Sequence, residues 1–146
     1  VIKLSHLPPP TLDLPLKAYI PEEYVADVDT RLSLYQSLVK LDKVEKIEDM
    51  AKEFSDRFGA LPAEVENLLY AVKIRILAAK ASIESISTEE GQIVIRLFEG
   101  MKLDQQKLAP LLKDGIKVGT TQLRLNPKRF GKEWQKTLED ILNKIG

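Results

Sequence analysis

The spacing of apolar residues changes once along this chain, near Ile83, and that change sets the class of fold open to it. Upstream, apolar residues recur every three or four positions, as on one face of a helix; downstream they alternate, as on one face of a strand. Three helices are expected first. One spans about Val28 to Leu41 behind an Asp27 N-cap, with Leu32, Tyr35, Leu38 and Val39 as its apolar stripe. A second spans Lys43 to Phe58, opened by Asp42 and Glu45 at capping-box spacing and stopped by Gly59. Its inward stripe is Val44, Ile47, Met50, Ala51, Phe54 and Phe58. A third opens at Leu61-Pro62, buries Val65, Leu68, Leu69 and Val72, and is apolar on most sides from Ile74 to Ala81.

Beyond Ile83 the pattern predicts two hairpins. Ile83 to Thr88 and Gln92 to Phe98 flank Glu89-Glu90-Gly91, and Ile116 to Val118 and Gln122 to Leu125 flank Gly119-Thr120. Between them Asp104 caps a short helix carrying Leu108, Leu111 and Leu112, which Gly115 ends. A last helix from about Lys128 buries Trp134, Leu138, Ile141, Leu142 and Ile145. At the front, alternation from Thr11 to Ile20 reads as a strand that Pro15 confines to an edge or interrupts.

Hairpins imply antiparallel pairing, so the expected class is α+β. The N-terminal strand and three helices pack with an antiparallel sheet of two hairpins and two further helices. Residues 1–11, with Pro8-Pro9-Pro10, read as a stiff linker, and Val1 in place of methionine suggests chain upstream of it. Residues 12–146 read as one domain, mostly helical over 12–82 and built of hairpins and helices over 83–146.

The search for chemistry narrows the functional classes. The 22 basic and 22 acidic residues cancel, so only a local patch can attract nucleic acid or an anionic membrane. There is no cysteine, no apolar run of membrane-spanning length, and no phosphate-binding glycine motif. The single histidine, His6, stands among prolines without a partner at metal or general-base spacing. No catalytic residue, cofactor or metal is therefore expected. Two charge patterns remain. Lys128, Lys132 and Lys136, with Arg124 and Arg129 nearby, would share one face of the last helix, fitting either phosphate contact or an ordinary solvated face. Asp49, Glu53 and Asp56 form an acidic stripe toward the C-terminal end of the second helix, where carboxylates oppose the macrodipole. Partner recognition accounts for it, as does a plain Glu53–Arg57 pair at i,i+4; spacing alone favours the pair.

Asp56-Arg57-Phe58-Gly59-Ala60-Leu61-Pro62 followed by Glu64-Val65-Glu66-Asn67-Leu68-Leu69 closely resembles the C-terminal domain of the bacterial transcription-repair coupling factors. Leu14-Pro15, Ala18-Tyr19-Ile20-Pro21, Arg31-Leu32 and Tyr35 match that family in order and spacing. The resemblance is strong over 12–82 and looser over 83–146, and Ala60 stands where the family often has proline. It implies a parent that is an ATP-driven DNA translocase of the bacterial cytoplasm, which displaces stalled RNA polymerase and recruits UvrA. It implies for this domain a monomeric, non-catalytic regulatory role away from membranes. The domain would pack on a UvrB-like module of the same protein, mask its UvrA-binding surface and restrain the motor. Under that resemblance Asp49, Glu53 and Asp56 are expected to face the partner module. The alternative is an accessory DNA contact through Lys128, Lys132 and Lys136. Phe58, Gly59, Leu61 and Pro62 are expected to build the corner between helices, and Tyr19 and Tyr35 to be core or half-buried.

Overall fold

The computed structural model describes residues 9–146, so His6 and most of the expected linker lie outside the described residues. The chain divides into two compact units: Pro15–Ile76, and the described residues up to Leu14 together with Leu77–Gly146.

The helical unit holds α1 (Val28–Val39), α2 (Glu45–Phe58) and most of α3 (Ala63–Lys80). Its core joins Ile20, Val25, Leu34, Leu38, Ile47, Phe54, Val65, Leu69, Val72 and Ile76. Each such side chain contributes on the order of 1.5–3 kcal/mol through burial. Asp27 caps α1 as expected, accepting from the Thr30 N–H at 2.9 Å. At the other end of α1, the Arg75 guanidinium donates to the carbonyls of Leu38 (3.2 Å) and Leu41 (3.0 Å), a cation placed at the negative end of the helix dipole.

The apolar stripe of α1 differs from expectation. Leu34 and Leu38 are buried, whereas Leu32 is 54% and Val39 71% exposed. Helix α1 carries apolar residues on two sides, and periodicity cannot choose between them; the core takes in Leu34, and Tyr35 packs against it half-buried. The Tyr35 hydroxyl accepts the Ile20 N–H at 2.7 Å, while Tyr19 is exposed rather than half-buried.

The Asp42/Glu45 capping box does not form. Val44 takes the N-cap place in helical conformation without a side-chain bond, and Lys46 and Ile47 donate to the carbonyls of Lys43 and Val44. A turn already wound before Glu45 leaves no extended cap residue from which Asp42 could act. The buried positions of α2 are the expected ones.

At the end of α2, Gly59 adopts φ 96° and ψ −171°, a region open essentially to glycine. The Tyr24 hydroxyl lies 2.7 Å from the Gly59 carbonyl and 3.1 Å from that of Phe54, and the Tyr24 ring packs on Phe58 and Phe54 at centroid distances of 5.7 and 6.5 Å. Burial raises the Tyr24 pKa, so the phenol stays a donor.

The sheet unit contains a five-stranded sheet in the order β1-β2-β3-β5-β4, with β1 Thr11–Leu12, β2 Ile83–Glu89, β3 Gln92–Leu97, β4 Ile116–Val118 and β5 Gln122–Leu125. The α+β class stands, but the sheet is mixed: β1 runs parallel to β2. A strand separated from its neighbour by three helices is free to pair in parallel, which a hairpin connection forbids. The strand expected from Thr11 to Ile20 stops at Leu12, on the edge, two residues short of the Pro15 that cannot donate to a ladder. Both hairpins form as expected. The first turns through Glu90 (φ 52°) and Gly91 (φ 77°), the double positive φ of a type I′ turn.

Helix α4 (Gln105–Leu108) begins at Asp104, whose carboxylate accepts from the N–H groups of Gln106 and Lys107 at 3.1 Å. A 3-10 turn, Ala109–Leu111, follows, and the segment ends before Gly115 with Leu112 exposed; Pro110 removes the donor that would continue an α-helix.

One sheet face carries Ile86, Ile93, Ile95, Leu123 and Leu125, all buried. The other is polar except for Val94, which is nonetheless fully buried. Register explains this. Arg96 stands opposite Ser85 and Glu89 opposite Gln92, so their two-pronged ion pair runs lengthwise over the Ser87–Val94 pair between them. Hydrogen bonds from Arg96, then from Ser87, with the charges of Arg96 and Arg124, lower the Glu89 carboxyl to about 2.

Two expectations follow for stability. Gly59→Ala meets no neighbour within 4 Å, so its cost is purely backbone strain, about 1–3 kcal/mol in urea unfolding. Between pH 4.5, the ordinary Glu89 value, and about 2, the unfolded chain binds the extra proton. The stabilisation from this pair is complete above that window and is lost as pH falls through it. Glu89→Gln removes that part of the acid slope in unfolding titrations.

Candidate functional site

The exposed face of α2 is set by its buried one. Ile47 and Phe54 point into the core, with Met50, Ala51 and Phe58 beside them, and Asp49, Glu53 and Asp56 come out together on the opposite side. All three are exposed. Asp49 pairs weakly with Lys46 at 3.9 Å, both largely solvated. The expected Glu53–Arg57 pair does not form: the Arg57 guanidinium lies over the Phe58 ring, 4.9 Å from its centroid. Among the described residues, neither Glu53 nor Asp56 has an ion-pair partner. The structure therefore keeps two unneutralised carboxylates in the last two turns of a helix, where the dipole disfavours them by a few tenths of a kcal/mol.

The lysine set is taken apart. Helix α5 begins at Trp134 and ends at Ile145; ahead of it stand two 3-10 turns, Pro127–Arg129 and Gly131–Glu133, and Gly131, which opens the second, has φ 54°. Lys128, Lys132 and Lys136 thus lie on three successive elements and share no helix face. Gly131, whose positive φ lies outside the right-handed helical region, is the reason. Lys136 is already engaged with Asp140 at 3.1 Å and Glu139 at 3.8 Å, which raise its pKa. Of the residues expected inward on α5, Leu138, Ile141 and Leu142 are buried while Trp134 and Ile145 are only half-buried, and Glu139 is buried beside them.

Sequence reasoning passed over Tyr24. Its only signal was position, between Pro21 and the first helix, and its partners Phe54 and Gly59 are far along the chain. Among the described residues no group of three or more His, Asp or Glu is arranged to hold a metal, and no helix is long and apolar enough to cross a membrane.

Comparison with known proteins bears on the family and the fold. A family model described as the TRCF domain matches residues 14–108. The transcription-repair-coupling factor of Rickettsia conorii is 36% identical over 99 residues, 68% of this chain and 9% of the relative. That of Staphylococcus haemolyticus is 30% identical over 140 residues, 90% of this chain and 12% of the relative. The chain thus spans only about a tenth of the length of the curated relatives it matches. A crystal structure of the C-terminal domain of a transcription-repair coupling factor shares the fold, with a TM-score of 0.77 and 23% identity over 94% of this chain and 93% of that one.

The α2 carboxylates carry no fold. Glu53→Lys with Asp56→Lys should shift thermal unfolding of the chain by no more than an ordinary surface substitution, within about 0.5 kcal/mol per site. The shift should be toward stability, because it relieves the dipole.

Proposed function

The chain belongs to the TRCF domain family, and from that premise we propose that it is a non-catalytic, autoinhibitory protein-interaction domain of a transcription-repair coupling factor. In this reading the parent is an ATP-driven DNA translocase of the bacterial cytoplasm that displaces stalled RNA polymerase and recruits UvrA. The domain packs on the parent's UvrB-like module, covers the surface that UvrA needs, and holds the motor in a closed state until polymerase or DNA is engaged. Differential affinity for closed and open states is the whole mechanism; no bond is made or broken.

The observation that carries this reading is the pair of unneutralised carboxylates, Glu53 and Asp56, beside Asp49 on α2. A clamp that must release needs a modest, polar contact, as interfaces between domains of one chain ordinarily are. Exposed carboxylates meeting basic side chains provide such a contact, weakened by salt and specific in orientation. A covalent tether makes even a weak contact effective, because it holds the partner surface at high local concentration. The DNA-contacting alternative draws less support, since its three lysines share no surface on one helix.

Calorimetric titration of this chain against the separately produced UvrB-like module tests the reading. Affinity should fall between low and moderate salt. Glu53→Lys with Asp56→Lys should weaken it by roughly tenfold, the equivalent of 1.4 kcal/mol. Unchanged affinity in the double variant, together with retained autoinhibition when it is built into the full-length protein, would sink the assignment of this face.

A further inference from the structure

A cleft of about 280 Å³ opens at the corner between α2 and α3, lined by Pro21, Glu23, Tyr24, Ala60, Pro62 and Glu64. Four of these residues present apolar surface: two proline rings, the Tyr24 ring and the Ala60 methyl. The other two are acidic, and among the described residues neither is in an ion pair. Pro62 is also one of the residues expected to build the corner between the helices.

The walls are held in place before anything binds. The Tyr24 hydroxyl is bonded to the carbonyls of Gly59 and Phe54, and the Pro21 carbonyl accepts from the N–H groups of Tyr24 and Val25. The Tyr19 N–H donates to the Glu64 carbonyl at 3.3 Å, fastening the segment that carries Pro21 to the first turn of α3. A ligand entering such a cleft loses little affinity to ordering of the receptor.

Size and chemistry select the ligand. The volume falls short of the roughly 300–1,000 Å³ typical of small-molecule sites, so the cleft suits one side chain rather than a metabolite. A neutral apolar group would strip water from Glu23 and Glu64 without replacing it. An ammonium group is a compact, strongly hydrated charge with no face to lay on a ring. A guanidinium is planar, stacks on aromatic surface and donates two parallel hydrogen bonds to a carboxylate. We propose that this cleft is a receptor for a single arginine side chain presented by a protein partner. The proposal rests on the reading of this unit as a protein-interaction domain, and it adds a specific contact to the one on the acidic face of α2.

The test is an NMR titration of the isotope-labelled 146-residue chain with acetylated, amidated Gly-Ala-Arg-Ala-Gly, and with lysine or uncharged citrulline at the central position. The arginine peptide should give saturable shifts at the amides of Glu23, Tyr24, Ala60 and Glu64. The lysine peptide should bind at least ~5-fold more weakly, and citrulline should not saturate. Glu23→Gln with Glu64→Gln should abolish the arginine response, whereas Glu53→Gln with Asp56→Asn should leave it. Equal binding of arginine and lysine, saturation by citrulline, or shifts centred on Asp49, Glu53 and Asp56 would each overturn the proposal, as would no saturable shift in the millimolar range. Titration of the Glu23→Gln, Glu64→Gln chain against the UvrB-like module separates the two ideas. Undiminished module binding there removes the cleft and leaves the α2 clamp, while arginine binding by a chain that ignores the module keeps the cleft and removes the clamp.

Discussion

The Tyr24 hydroxyl, set against the carbonyls of Gly59 and Phe54, is the contact on which the helical unit turns. It ties the segment ahead of α1 to the corner where α2 ends and α3 begins. A net contribution of about 1 kcal/mol from such a bond is modest. Its geometric consequence is larger. Gly59 sits in a conformation that almost no other residue adopts, and a corner of that kind has one shape only while something holds its carbonyl. The aromatic contacts of Tyr24 with Phe54 and Phe58 fix the ring, so the end of α2, its exposed carboxylates and the adjoining cleft all take their positions from one side chain.

Charge is used differently in the two units. In the sheet unit, the pair between Arg96 and Glu89 is shared with Ser87, lies over Val94 and is consumed within the fold. In the helical unit, Glu53 and Asp56 are left unpaired at the helix end least suited to them, and Arg57, the nearest candidate, stacks on Phe58 instead. A net charge of zero hides this contrast. The first arrangement stabilises the fold above about pH 4.5 and is lost in acid; the second costs a little stability and leaves a surface able to recognise a basic partner.

Much of the architecture was legible in the residues. The switch of period at Ile83, the Asp27 and Asp104 caps, the Glu90-Gly91 turn and the buried face of α2 are local matters, and the structure agrees with each. The acidic stripe was legible for the same reason, since i, i+4, i+7 spacing places side chains on one face wherever the helix is real. The shared lysine face did not form, because Gly131 interrupts the helix on which that spacing argument depended.

The sequence by itself determined the three helices before Ile83 and the two hairpins after it, where their tight turns fall, and the family to which the motif around Phe58 points, because each depends on residues within a few positions of one another. Only the tertiary structure decided that Leu34 rather than Leu32 faces the core, that β1 joins the sheet in parallel, and that Arg57 abandons Glu53 for an aromatic ring. It also decided that Tyr24, Ala60 and Glu64 line a single cleft. Those outcomes are settled by competition between contacts far apart along the chain, where two local choices of nearly equal energy are separated by what happens to pack against them.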